Sequence, residues 1–102
     1  MNQIKEMVKP LYDSGDLLGF SVCGDTGSMI YNESFFNDEL AWRATVPFIS
    51  VTLKLGRAGR IATRLTVELD DVTLIYKQFD QGHALFFLRS ACDLDTAAAV
   101  LS

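Results

Sequence analysis

In the second half of the chain apolar and polar positions alternate with period two: Leu65, Val67 and Leu69 interleave with Thr66 and Glu68. Asp70-Asp71 interrupts, residues 72–79 resume, Asp80-Gln81-Gly82 interrupts again, and residues 83–89 follow. Alternation, β-branched and aromatic enrichment and Asp/Gly punctuation together predict a three-stranded meander. Leu85, Phe86, Phe87 and Leu88 form a continuous apolar run, so both faces of that last strand have to leave water. The sheet is therefore expected to be a middle layer with helical cover on each face.

The pattern changes toward the N-terminus. Ile4, Met7, Val8, Leu11 and Tyr12 fall on one face of a helix, with Lys5, Glu6 and Lys9 on the other. Pro10 predicts a kink or an early end, because an interior proline removes a hydrogen bond and crowds the carbonyl four residues back. Residues 13–16 stop the helix, with Gly15 suited to the left-handed position past its last turn. Residues 17–24 read as a strand, Asp25-Thr26-Gly27 as a turn and residues 28–32 as the returning strand. Counted with the meander, these make five strands.

Residues 35–60 carry two periods at once. Asn37 or Asp38 suits a helix cap, Glu39 suits the first turn, and Leu40, Ala41, Ala44 and Phe48 recur at helical spacing. Ile49, Val51, Leu53 and Leu55, however, alternate with Ser50, Thr52 and Lys54 in strand fashion, and Pro47 adds a break. The need to cover a doubly apolar sheet decides for one long helix, since no other segment is long enough. Such a helix is apolar on two flanks, one for the sheet and one for solvent or a second copy. A last short helix begins at Asp93 or Cys92, with Leu94, Ala97, Ala98 and Leu101 on its apolar side. It is too short to persist undocked.

The predicted class is α+β in three α/β/α layers: a five-stranded antiparallel sheet in the order helix-β-β-helix-β-β-β-helix. The long helix lies on one face and the terminal helices on the other. A chain of 102 residues is expected to be a single domain spanning residues 1–102. With 49% hydrophobic residues it is greasier than a small monomer needs, which again points to a buried interface. A net charge of −4 excludes a nucleic-acid binder driven by bulk electrostatics. Cys23 and Cys92 lack metal-ligand spacing and read as reduced thiols, and the longest strictly apolar run is far short of the ~20 residues that span a bilayer. A soluble, cytoplasmic protein without an integral membrane segment is expected.

Several stretches, in their order and spacing, are similar to the roadblock family, the dynein-associated light chains and their bacterial and archaeal relatives. They are Leu18-Gly19-Phe20-Ser21-Val22 leading into Asp25-Thr26-Gly27, then Leu65-Thr66-Val67-Glu68-Leu69-Asp70-Asp71. Phe79-Asp80-Gln81-Gly82-His83-Ala84-Leu85-Phe86-Phe87-Leu88 and Ala91-Cys92-Asp93-Leu94-Asp95 complete the set. The resemblance implies a dimer joined through the long helix and the first meander strand. It also implies a non-enzymatic platform or regulator for a small Ras-like GTPase, with no cofactor, no metal and no catalytic residue of its own. Carried onto this chain, the pairing surface comprises Ile49, Leu53, Gly56, Arg60, Arg64, Thr66 and Glu68, while Trp42, Lys54 and Arg57 are candidates for contact with the GTPase. The partner in the dimer is a second copy or a paralogue. If hydrolysis is accelerated, the resemblance implies positioning of the GTPase's own residues, since no arginine here stands out as one inserted into a nucleotide site.

Other features carry competing chemistry. Asp25-Thr26-Gly27 matches the tripeptide of dimeric aspartic proteases, but a glycine-rich flap is missing and Asp, Thr and Gly are ordinary turn residues. A ligand-sensing module of PAS or profilin-like architecture is the other alternative, and it would need a buried polar pocket. Lys54, Arg57, Arg60 and Arg64 line one stripe if the helix continues, either to grip an acidic surface or an anionic membrane or to offset the helix dipole. Gly56-Arg57-Ala58-Gly59 lacks the setting of a phosphate loop. His83, the only histidine, reads as a rim residue, and of Phe35 and Phe36 one points inward while the other is a candidate contact.

Overall fold

A computed structural model describes residues 2–26, 28–62, 64–79 and 82–101. The elements follow the expected order: α1 (Asn2–Asp13), β1 (Leu17–Cys23), β2 (Met29–Glu33), α2 (Asp38–Arg57), β3 (Arg64–Glu68), β4 (Val72–Phe79), β5 (Gly82–Arg89) and α3 (Leu94–Val100). The five strands form one antiparallel sheet in the spatial order β2-β1-β5-β4-β3, so β2 and β3 are its edges. The meander pairs in unbroken register, whereas β1 shifts once against β5 and once against β2.

β5 lies at the centre and is buried from Gly82 to Leu88, as its continuous apolar run requires. On one face Phe20, Val22, Ile75, Phe86 and Leu88 pack against Val8 and Leu11 of α1, Ala97 of α3 and Leu101 at its C-terminal cap. On the other, Tyr76, Leu85 and Phe87 pack against Phe48 of α2, whose ring stacks on Tyr76 at 5.6 Å. The two terminal helices thus share one face and the long helix takes the other.

The caps act as the sequence suggests. The Asn37 side chain accepts from the Leu40 N–H at 2.9 Å, and the Asp93 carboxylate accepts from Asp95 N–H at 3.0 Å and Thr96 N–H at 3.3 Å. Each satisfies amides that the first turn leaves without a helical partner.

Three expectations are corrected. Pro10 does not end α1 early: the helix runs on to Asp13, and the Ser14 N–H still reaches the Pro10 carbonyl at 3.1 Å. Pro10 and Glu6 are both exposed, so the carbonyl deprived of its amide can turn to water. Pro47 is exposed in the same way and α2 passes through it. The long helix, however, ends at Arg57 rather than Arg60. Ala58 N–H folds back on the Lys54 and Leu55 carbonyls, Gly59 takes φ 80°, and Arg60 N–H bonds the Leu55 carbonyl at 2.8 Å. That left-handed glycine closure is what stops the helix three residues short.

Candidate interaction surface

α2 buries Ala41, Thr45 and Phe48 against the sheet. Its β-branched threonines are accommodated because Thr45 and Thr52 donate their hydroxyls to the Ala41 and Phe48 carbonyls, each at 2.9 Å. Leu40, Val46, Val51 and Leu53 remain exposed, Leu53 at 58%. Beyond the helix Ile61 is exposed at 93%, and Val67 and Leu69 on and after β3 are exposed as well. Leu65 and Val67 pair with Tyr76 and Leu74, so they share the α2 side of the sheet, and that side is only partly covered near β3. An apolar flank of a helix and an apolar sheet edge therefore lie open in the same half of the molecule.

The residues singled out from the sequence fall into different environments. Leu53, Gly56, Lys54 and Arg57 are exposed on the last turns of α2, with open space where a Gly56 Cβ would stand. Ile49 is half-buried and packs on the core beside Phe48, and Trp42 is half-buried on the same helix. Arg60 is exposed in the loop that follows. Arg64, Thr66 and Glu68 are exposed along the β3 edge, and Arg64 Nη1 donates to the Ala98 carbonyl at 3.0 Å. The early end of α2 separates Arg60 and Arg64 from Lys54 and Arg57, so no continuous helical stripe exists. Val46, seven residues before Leu53 and on the same flank, joins the open surface with Ile61 and Leu69 without having been singled out. The isolated Ile61 between Arg60 and Arg64, outside any periodic run, was the available signal.

A second constellation lies under the N-terminal strands. His83, at the start of β5, is buried and stacks on Tyr76, its Nδ1 2.6 Å from the Tyr76 hydroxyl and its Nε2 3.0 Å from Asp25 Oδ1. With the carboxylate accepting from Nε2–H, Nδ1 is left to accept from the phenol. His83 is thus a satisfied interior residue, not a rim residue. Burial pushes the Tyr76 phenol and the Cys23 thiol above their usual values, so neither is an activated nucleophile. Asp25 and Thr26 sit in the exposed turn between β1 and β2, and the Asp25 carboxylate is engaged by His83; Gly27 of the protease-like tripeptide lies outside the described residues. Phe35 and Phe36 divide as expected, Phe36 half-buried and Phe35 exposed, with both rings edge-on to Phe87. Among the described residues no cluster of His, Cys, Asp and Glu is arranged to hold a metal ion, and no helix is long and apolar enough to cross a membrane.

No family model matches the sequence, and no curated protein matches it. Solved structures do. A roadblock/LC7 domain from Streptomyces avermitilis superposes with a TM-score of 0.64 at 14% identity, covering 83% of this chain and 76% of that one. A second roadblock/LC7 domain structure from the same organism gives a TM-score of 0.63 at 17% identity, covering 97% of this chain and 91% of the other. With TM-scores above 0.6 and one superposition covering 97% of its length, the chain has the roadblock fold.

Proposed function

We propose that two copies of this chain pair through α2 and the β3 edge, and that the pair serves as a non-enzymatic platform or regulator for a small Ras-like GTPase. The observation that carries this reading is the open apolar flank of α2, with Leu53 58% exposed, beside an uncovered edge strand whose neighbours Ile61, Val67 and Leu69 are also exposed. Apolar area of this kind is costly in water and is relieved by a second subunit. An edge strand left bare also invites pairing. The platform role comes from the similarity of fold and of sequence order to roadblock domains, and the small size of the domain suits a scaffold.

Two competing readings have less support. A ligand-sensing module needs a cavity between helix and sheet, but that space is filled by Phe48, Tyr76, Leu85 and Phe87. A protease needs an available Asp25 carboxylate, which His83 engages.

Light scattering of the purified chain tests the pairing, and a concentration-independent monomer would end it. Retention of a GTP-loaded small GTPase tests the platform role, with Leu53→Glu as the control expected to lose dimer and partner together.

A further inference from the structure

His83, the only histidine of the chain, is buried where both of its charge states can be satisfied. Nε2 faces the Asp25 carboxylate at 3.0 Å, which accepts from neutral imidazole and from imidazolium alike. Nδ1 faces the Tyr76 hydroxyl at 2.6 Å, and a hydroxyl can either donate or accept, unlike a backbone amide or carbonyl. A histidine with a purely architectural role needs neither property, because a carbonyl on one nitrogen and an amide on the other would hold it in a single state.

The next link lies on α2. Burial raises the Tyr76 phenol above its ordinary value, so it keeps its proton, and the Thr52 hydroxyl lies within its reach. Thr52 commits its own proton to the Phe48 carbonyl at 2.9 Å, which leaves its oxygen able to accept. With neutral His83 the phenol donates to Nδ1, and no proton lies between the Tyr76 and Thr52 oxygens. A proton added at Nδ1 reverses this order: Nδ1–H donates to the phenol oxygen, and the phenol proton turns to Thr52 Oγ1. The positive ring then faces Asp25, and every polar atom of the relay still has a partner. The other groups that face the ring carry no charge. Cys23, its register partner on β1, is kept a thiol by burial and bonds Thr45, and Gln78, its partner on β4, is an amide.

We propose that His83 is a proton-operated link between the β1–β2 turn and the last turns of α2, with Tyr76 passing its charge state on to Thr52. Protonation fastens α2 through a hydrogen bond that the neutral form lacks, and it turns the Asp25 contact into an ion pair. The link is complete within one chain, so it depends neither on pairing nor on a GTPase. Its output is the stretch of α2 that carries the exposed Leu53, Lys54 and Arg57, so contacts made there become proton-linked. Asp25 thereby has a role unrelated to the protease-like tripeptide: it stands against the charge that the buried ring acquires.

The test is solution NMR on the isotopically labelled full chain, titrated from about pH 8 to about pH 5, where imidazoles change charge while most carboxylates stay ionised. At the alkaline end the ring nitrogen shifts show the Nε2–H tautomer, and at the acid end both nitrogens carry protons. The backbone amides of residues 53–56 shift with the same midpoint as the ring. In Tyr76→Phe these amides no longer follow the ring. Thr52→Val keeps the side-chain shape and the phenol–imidazole bond but removes the acceptor, and it abolishes the response in the same way, which preserves the test should Tyr76→Phe fail to fold. Circular dichroism at both ends of the titration confirms that each variant is folded. An Nδ1–H tautomer at the alkaline end, or a ring that stays neutral until the chain unfolds, overturns the proposal. So do α2 amides that ignore the titration in the wild type, or a response that survives in the folded variants.

Discussion

Tyr76, His83 and Ser21 occupy one layer between the sheet and α2, yet their polar atoms are treated differently. The Tyr76 hydroxyl and His83 Nδ1 satisfy each other at 2.6 Å, whereas Ser21 Oγ is buried without a hydrogen-bond partner among the described residues. Tyr76→Phe strips a buried imidazole nitrogen of its donor and is expected to cost about 1–3 kcal/mol in urea unfolding. Ser21→Ala removes a desolvated hydroxyl and is expected to leave stability unchanged or raise it; a loss comparable to that of Tyr76→Phe would mean that the hydroxyl has a partner. At the sheet's other end, hydrogen bonds from Arg89 and Ser14 hold the Asp16 carboxyl below the ordinary carboxylate range. A group whose folded value is depressed adds stability above its unfolded pKa, near ~4, and that contribution disappears as pH falls through the folded value. Asp16→Asn should therefore flatten the acid limb of the stability profile while lowering stability at neutral pH.

Among the elements, two glycines carry opposite expectations for Gly→Ala. Gly82 has φ 150°, and a Cβ there would lie 2.0 Å from the Cys23 carbonyl oxygen, so β1 and β5 can meet at this point only over a glycine. Gly82→Ala should destabilise by roughly 3 kcal/mol or more, as close backbone contact and a disfavoured conformation add. Gly56 has open space around it in the last turn of α2, so Gly56→Ala should stabilise the isolated fold by about 0.5–1 kcal/mol. If the helix approaches its mate closely at that position, the same change weakens the dimer, and comparing thermal unfolding with light scattering separates the two effects. The meander and its doubly buried strand were legible in the sequence because alternation and the run from Leu85 to Leu88 are set by burial itself. The end of α2 was not. Lys54, Arg57 and Arg60 continue the helical spacing, but Gly59 reaches its left-handed turn before the spacing runs out. His83 was misplaced for a related reason: its partners Tyr76 and Asp25 come from another strand and another turn, and local pattern carries no record of them.

For the whole molecule, the −4 net charge conceals a division. Five of the nine basic residues and none of the thirteen acidic ones lie within residues 40–67, which gives that segment +5 and leaves −9 for the rest. Arg64 turns to the Ala98 carbonyl on the other face and Arg43 is paired with Glu39 at 3.1 Å, so the cations left on the α2 side are Lys54 and Arg57 on the helix and Arg60 after it. One reading makes Lys54 and Arg57 mere complements of the helix dipole, which costs a few tenths of a kcal/mol of stability when lost. The other makes them the contact for an acidic surface on the GTPase, and the two readings diverge in what a charge reversal changes. Lys54→Glu with Arg57→Glu should leave the dimer intact in light scattering but slow association with the GTP-loaded GTPase by about tenfold or more, since reversed charges act chiefly on encounter. The wild-type association rate should also fall as salt rises from ~0.05 to ~0.3 M, where the screening length drops below about 10 Å. A salt-independent rate, or a doubly reversed variant that binds as fast as wild type while melting earlier, would assign these cations to the helix terminus and place the GTPase contact on another part of the dimer surface.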